Sequence, residues 1–468
     1  MDNFDLLFKW TFLTPIVVVG LMGAVHAWGY LHGRKKLFYF LYFATALSMA
    51  GVVLAENALT FLLAWELMGL FSSGLVLFDA EDKATKRAGY IYLLACQAGG
   101  LALMLAFFSD TSGVSGALGD RPLPIYTALL VIGFGLKVGF PPFHVWLPEA
   151  HPAAPAPASA LMSGAMIPLG LYGLINFGIT NPYIYLILGA AGALFGILFA
   201  LPQANLKKLL AFSSVENMGI ISMAIGLGFL SNDPFVKKLA FGGAALHVIN
   251  HAILKGGLFL SAGNVMRFTG HLNMDKMGGL IHKMPKTGAW FILSAWGLAG
   301  LPPLNGFFSE ILIFWAAFAS GQYWVAFVLA LCGGLAVAAY TKSIGAVFLG
   351  TSRSDDSHVE VERGRSIWGC GYEKPNNHMQ YTGTSFTRPL VEMFEGILKP
   401  RTHLKVRQGD AAIATETDDR ILAGFWQPIF HFAARYFQVG HLLQNGSLHF
   451  YILLILITVF ILLVCAVL

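Results

Sequence analysis

The sequence predicts an all-α polytopic membrane protein of about 12 transmembrane helices. Three observations carry that expectation. First, 56% of the 468 residues are hydrophobic and only 12% are charged, against roughly one quarter charged in soluble domains. The mean hydropathy is +0.66, and a soluble chain this long would need more charge to cover its surface. Second, apolar runs of about 20 residues recur, the length that crosses a bilayer core. An outer-membrane barrel would show short alternating segments instead. Third, two paired-proline interruptions, Pro141-Pro142 and Pro302-Pro303, fall inside such runs. Adjacent prolines free backbone carbonyls that must find partners in protein interior or a wet cavity.

Taken in order, the start MDNFDLLFKW has two acids and one lysine, a poor signal-peptide leader, so 11–30 is expected to remain as a span. Further spans are expected at 37–55, 57–78, 88–108, 124–178 (broken), 183–211, 214–231, 238–266, 288–303, 305–320, 323–350 and 449–467. Pro202 and QANLKK interrupt the long stretch 183–231. Three basic clusters, Arg34-Lys35-Lys36, Lys83/Lys86/Arg87 and Lys237-Lys238, fall on one side of the membrane if the N-terminus is outside. That side is then cytoplasmic. The loop 267–287, with Arg267, Lys276, Lys283 and Lys286, falls on the opposite side in this count and breaks the rule. From Thr351 to about Asp419 the composition turns polar, as in a cytoplasmic loop. Segment 420–445 mixes Phe, Trp and Leu with Arg and His, the composition of an amphipathic helix on a membrane or partner surface, with Pro428 as its kink. GFPPF at 139–143 matches GLPPLNGF at 300–307, so the middle of the chain is an internal repeat. The expected organisation is N-terminal helices at 1–56, repeats at 57–231 and 232–350, loop and surface helix at 351–447, and a last span at 448–468.

Charges inside the spans are the candidate functional residues, because they are costly in lipid. Glu66 lies near the middle of its span, and Lys137 sits between Gly135 and Gly139 just before the first proline pair. Desolvation disfavours a charged lysine and a nearby carboxylate restores it, so moving the carboxylate away would release a proton. A static interhelical bond for Glu66 and a snorkelling Lys137 are the bland alternatives. His144 and His151 follow Lys137 at seven-residue intervals, but Pro148 and Pro152 disturb the helical face; they are either relay groups or bonded loop histidines. Lys207 and Lys208 read equally as a basic loop, with Glu216 and Asn217 beyond them. His247, His251 and Lys255 share one helix face at i, i+4 and i+8. Two imidazoles leading to a lysine suit proton relay; zinc would need a third ligand, and no HExxH glutamate accompanies them. Glu310 follows the second break. Cys96, Cys332, Cys370 and Cys465 are too dispersed for an iron–sulfur or zinc site. No phosphate-binding loop appears, and the net charge of +5 suits membrane orientation rather than nucleic acid.

These motifs resemble the antiporter-like subunits shared by respiratory complex I, energy-converting membrane hydrogenases and multisubunit cation/proton antiporters. The resemblance covers roughly 40–350 and rests on LLAWELMGL, GLKVGFPPFHVWLPEAHPAAPAPASALMSG, QANLKKLLAFSSVENMG, HVINHAILKGGLF and GLPPLNGFFSE. It implies two inverted repeats, each with a broken helix, and a row of proton-carrying groups across the membrane. The matching positions are Glu66, Lys137, Lys207 (placed at mid-membrane and chosen over Lys208), His247, His251, Lys255 and Glu310, with His144, His151 and Glu216 as further relay candidates. SVENMG, where many complex I versions read SVSHMG, and CGYEKPNNHMQYTGTSF at 370–386 look more like the formate hydrogenlyase type. The implied function is proton translocation, with sodium the alternative ion, in an inner-membrane redox complex. NiFe and iron–sulfur centres would sit in partner subunits and no cofactor in this chain. An antiporter subunit without redox chemistry and a non-pumping scaffold are the alternatives. Two N-terminal helices of the family pattern have no counterpart before Glu66, and whether a neighbouring subunit supplies them is left open by the sequence. Segment 420–445 stands where the family has a long C-terminal helix.

Overall fold

The computed structural model describes residues 3–31, 33–109, 124–351, 381–407, 410–416, 419 and 421–437. The expected last span, 449–467, lies outside the described residues. In chain order the helices are α1 (Asn3–Tyr30), α2 (Lys35–Leu54), α3 (Ala58–Val76), α4 (Lys83–Ser109), α5 (Pro124–Val138), α6 (Leu147–Ala153), α7 (Ala156–Leu161), α8 (Leu169–Asn176), α9 (Pro182–Ala200) and α10 (Leu206–Leu230). They continue as α11 (Pro234–Thr269), α12 (Leu280–Lys283), α13 (Pro285–Leu298), α14 (Asn305–Ala319), α15 (Tyr323–Val347), α16 (Gly383–Met393), α17 (Glu395–Leu398) and α18 (Gln427–Phe437). Among the described residues ten stretches are long and apolar enough to cross a membrane, and α14 is a shorter apolar helix. Strands β1 (Arg401–Arg407) and β2 (Asp410–Glu416) form an antiparallel hairpin where the sequence suggested only a polar loop. Residues from Asp418 onward form a separate unit, in which a wide turn at Leu422–Trp426 directly precedes Pro428 and α18.

Local chemistry sets where the helices begin. Asn57, Asn181, Asn205 and Asp233 each cap a helix by accepting a bond from its first turn. Pro182, Pro234 and Pro285 occupy first helical positions, where the missing N–H costs nothing. Asn205 therefore starts α10 at Leu206, so the boundary expected near 211–214 moves back to 201–205. Small residues let α9 lie against α10: a Cβ on Gly196 would strike the backbone of Glu216, and one on Gly219 that of Ala193. This contact helps bury α10, and Glu216 with it.

The stretch 124–178 crosses twice rather than once. Residues 124–153 run in one direction and 156–176 return. On one face of the protein the ends of several elements meet. Arg267 donates to Gly29 O, Leu206 N to Leu272 O (2.9 Å), Gly279 N to Leu349 O (2.9 Å) and Lys207 Nζ to Ala154 O (2.7 Å). On the other face Tyr172 reaches Val53 O at 2.9 Å, and Phe235 packs against Trp315. These contacts make α13 and α14 two halves of one broken crossing, where the sequence suggested two spans. The loop 267–287 therefore shares a face with 31–36, and Lys237-Lys238 moves to the opposite face.

Candidate functional site

Both breaks share one local design. Gly139 (φ 80°) and Gly300 (φ 66°) take the left-handed region two residues before each proline pair. Pro141-Pro142 and Pro302-Pro303 are cis. After α5 the chain turns through Phe143–Trp146 into α6. Gly139 N and Phe140 N both bond to Gly135 O, which leaves Leu136 O without its helical donor. Trp146 Nε1 supplies one at 2.7 Å.

Lys137, 4% exposed, ends α5 beside this break. Its Nζ lies 3.4 Å from Cys96 Sγ, with the Trp65 and Tyr92 ring centroids at 5.5 and 5.6 Å. A cavity of about 10 Å³ next to it, lined by Trp65, Cys96, Gly99, Gly133 and Trp146, has room for one water. Glu66 is half-buried and accepts from Gln97 Nε2 at 3.1 Å. Glu66 and Lys137 thus do not touch; α4 supplies the partner of each.

His144 and His151 are fully buried and point to different neighbours. The His144 ring packs on Phe195 (4.3 Å between centroids), the His151 ring on Phe259 (4.8 Å). Lys207 is buried, but in the first turn of α10, at an end of the span rather than its middle. Lys208 pairs with Glu149 at 3.2 Å, half-exposed beside it.

The second half is a connected polar network. His247, His251 and Lys255 line one buried face of α11. His247 Nε2 is 3.0 Å from Asn217 Oδ1 and its Nδ1 is 3.0 Å from Ser309 Oγ. Asn217 Nδ2 lies 3.5 Å from Glu216 Oε2. Asn250 Nδ2 donates to Ser309 Oγ (3.1 Å) and Asn305 O (2.9 Å), and Asn305 Nδ2 returns a bond to Asn250 Oδ1 (2.9 Å). One chain of bonds therefore runs from α10 through α11 to the start of α14, just past the second break. Lys255 Nζ donates to Leu210 O (3.0 Å), Ser213 Oγ and Tyr340 Oη (3.4 Å). Glu310 follows Ser309 and faces Gly300, where a Cβ would strike its carboxylate. Neither ring nitrogen of His151 or His251 has a hydrogen-bond partner among the described residues.

Sequence reasoning did not single out Cys96, Gln97, Asn250, Asn305, Ser309, Tyr340 or Lys342. Lys342 is 1% exposed and donates to Leu201 O (2.6 Å) and Gln203 O (2.8 Å), tying α15 to the loop before α10. A lysine inside the run 323–350 was the available signal. Among the described residues no three His, Cys, Asp or Glu side chains gather as a metal site.

A helical membrane protein with buried lysines and histidines around two proline breaks defines a narrow class. The chain belongs to the family described as NADH:quinone oxidoreductase/Mrp antiporter, TM, whose model matches residues 55–335. Hydrogenase-4 component B of Escherichia coli (strain K12) is 36% identical over 345 residues, 67% of this chain and 51% of its own length. Formate hydrogenlyase subunit 3 of the same organism is 37% identical over 247 residues, 48% of this chain and 41% of its own. The chain thus spans about half the length of the curated relatives it matches. A chain of the Mrp complex from Dietzia sp. DQ12-45-1b has the same fold, with a TM-score of 0.67 at 24% identity over 74% of this chain and 67% of that one.

Proposed function

We propose that this chain is a proton-translocating, antiporter-like membrane subunit of a redox-driven complex of the hydrogenase or formate hydrogenlyase type. The observation that carries the reading is a set of fully buried Lys, His and Glu side chains around both breaks, with both nitrogens of His151 and His251 unpaired among the described residues. Unpaired polar groups in a membrane core are costly, and a proton path through water is the use that accounts for them. Glu66, Lys137, Lys207, His247, His251, Lys255 and Glu310 would carry protons, with His144, His151 and Glu216 as relays. Repeats at 57–231 and 232–350 would each supply one broken helix. Electrons would move in partner subunits holding NiFe and iron–sulfur centres, coupled to this chain electrostatically. Gln97 and the half-buried Glu66 lie among exposed Leu63, Leu67, Leu94 and Leu101, which suits a neighbouring subunit there better than lipid. With 267–287 on the face of 31–36 and 83–87, nearly all loop lysines and arginines gather on one side. That side is then cytoplasmic and the N-terminus outside.

The test is proton translocation by the purified complex in liposomes. Lys137→Ala and Glu66→Gln should each lower the protons moved per turnover. Unchanged stoichiometry in both would leave only a scaffold role. Co-purification with small antiporter subunits and no iron–sulfur protein would instead identify an antiporter without redox chemistry.

A further inference from the structure

We propose that the Ser309 hydroxyl is a two-position switch that reads the protonation of His247, which makes Ser309 a positioning residue at the second break. The proposal rests on the translocation reading above and follows from counting donors and acceptors.

Asn217 Nδ2 lies 2.7 Å from Ser213 O, a carbonyl that only accepts, so Asn217 Oδ1 must face His247. An amide oxygen also only accepts, so His247 Nε2 carries a hydrogen. Asn250 is fixed in the same way by Asn305 O and presents its second N–H to Ser309 Oγ. Ser309 then has one hydroxyl hydrogen and two candidate acceptors, Gly306 O at 2.8 Å and His247 Nδ1 at 3.0 Å. It can serve only one of them.

When the imidazole is neutral, Nδ1 offers a lone pair and takes the Ser309 O–H. When the transported proton arrives, an N–H bond forms at Nδ1. Nδ1 then donates to Ser309 Oγ, and the hydroxyl turns to Gly306 O. No covalent bond of Ser309 breaks: its hydrogen bond to Nδ1 is exchanged for one to Gly306 O, and nothing is oxidised or reduced. The acceptor is rigid, because Gly306 packs so closely that a Cβ there would strike Gly297 O. Only the hydroxyl moves. The titratable groups around this network are Glu216 on α10, His251 and Lys255 on α11, Glu310 on α14, and Cys332 and Tyr340 on α15. They set how readily the proton binds, but the hydrogen-bond partners of His247 are Asn217 and Ser309.

The experiment measures turnover-driven proton movement against pH in the native complex in liposomes, for Ser309→Ala, Ser309→Cys, Ser309→Thr and His247→Ala. Threonine keeps the hydroxyl and should keep the profile. Alanine removes the acceptor that the protonated ring needs, and a bond to a charged group is worth more than one to a neutral group. Its acid limb should move to lower pH by about one unit. A Ser309→Ala profile that superimposes on the wild type, with His247→Ala inactive, overturns the switch and leaves the translocation reading intact. Normal pumping by His247→Ala overturns the place of His247 in that reading, and the switch with it. If Ser309→Ala does not assemble, Cys against Thr decides: a weakly bonding thiol should shift the limb, and identical profiles overturn the proposal.

Discussion

Lys137 and Glu66 each take a different partner on α4, and this changes how their coupling must work. Cys96 holds the ammonium and Gln97 holds the carboxylate, so charge is felt at a distance rather than through an ion pair. Small displacements of Glu66 then matter without any bond to Lys137 being broken. Gly100 sets its position: an added Cβ would strike Glu66 Oε1, the far end of a flexible side chain. Gly100→Ala should therefore fold and assemble, yet cut proton translocation by about tenfold through misplacement alone. Wild-type pumping with normal assembly would show that the carboxylate position is not critical. At the half-exposed Glu149–Lys208 pair, solvent screening leaves little to gain. A double-mutant cycle with Glu149→Gln and Lys208→Met, read by thermal unfolding, should return a coupling of about 0.2–1 kcal/mol. Charged residues such as Lys137, Glu216 and Lys255 were legible in the sequence because an ion in an apolar run is conspicuous. The partners Cys96 of Lys137, Ser213 of Lys255 and Ser309 of His247 were not, since small polar residues are ordinary in membrane helices and these contacts span up to 62 residues.

A helix break exposes backbone groups that the surrounding elements must satisfy. At the first break Trp146 reaches back to Leu136 O; at the second, Leu301 N bonds to Trp296 O at 3.2 Å while Asn250 takes Asn305 O. Trp146→Phe keeps the ring packing but removes the donor to a buried carbonyl. It should destabilise the protein by about 1–3 kcal/mol, measurable as a lowered unfolding temperature of the purified complex. An unchanged temperature would mean that another group caps that carbonyl. Gly306→Ala tests the other break: the clash is with the backbone oxygen of Gly297, which cannot swing aside as a side chain would. A cost of about 1–3 kcal/mol is expected from overpacking. The proline pairs made both breaks legible. How many crossings they belong to was hidden, because residues 124–178 read as one apolar run and the turn at 154–155 carries no charge.

Across the whole molecule that miscount decides which face each loop occupies. Reading 124–178 as one crossing and 288–320 as two left the loop 267–287, with its four basic residues, on the side where basic loops are rare. With 124–176 as two crossings and 285–319 as one broken crossing, that loop joins Arg34-Lys35-Lys36 and Lys83/Lys86/Arg87, and only Lys237-Lys238 changes sides. The contacts require this without appeal to charge, since Arg267 reaches Gly29 O and Leu206 N reaches Leu272 O. The positive-inside tendency then follows instead of being violated. Lys36, Lys276 and Lys238 are all exposed, so single cysteines there, after replacement of the four native cysteines, report the arrangement. A membrane-impermeant maleimide applied to sealed right-side-out vesicles should label Lys238→Cys, while Lys36→Cys and Lys276→Cys should react only after the vesicles are opened. Labelling of Lys276→Cys together with Lys238→Cys would return 267–287 to the outer face. That result would separate α13 and α14 into two crossings, and with them the Asn250–Asn305 bond that ties α11 to the second break.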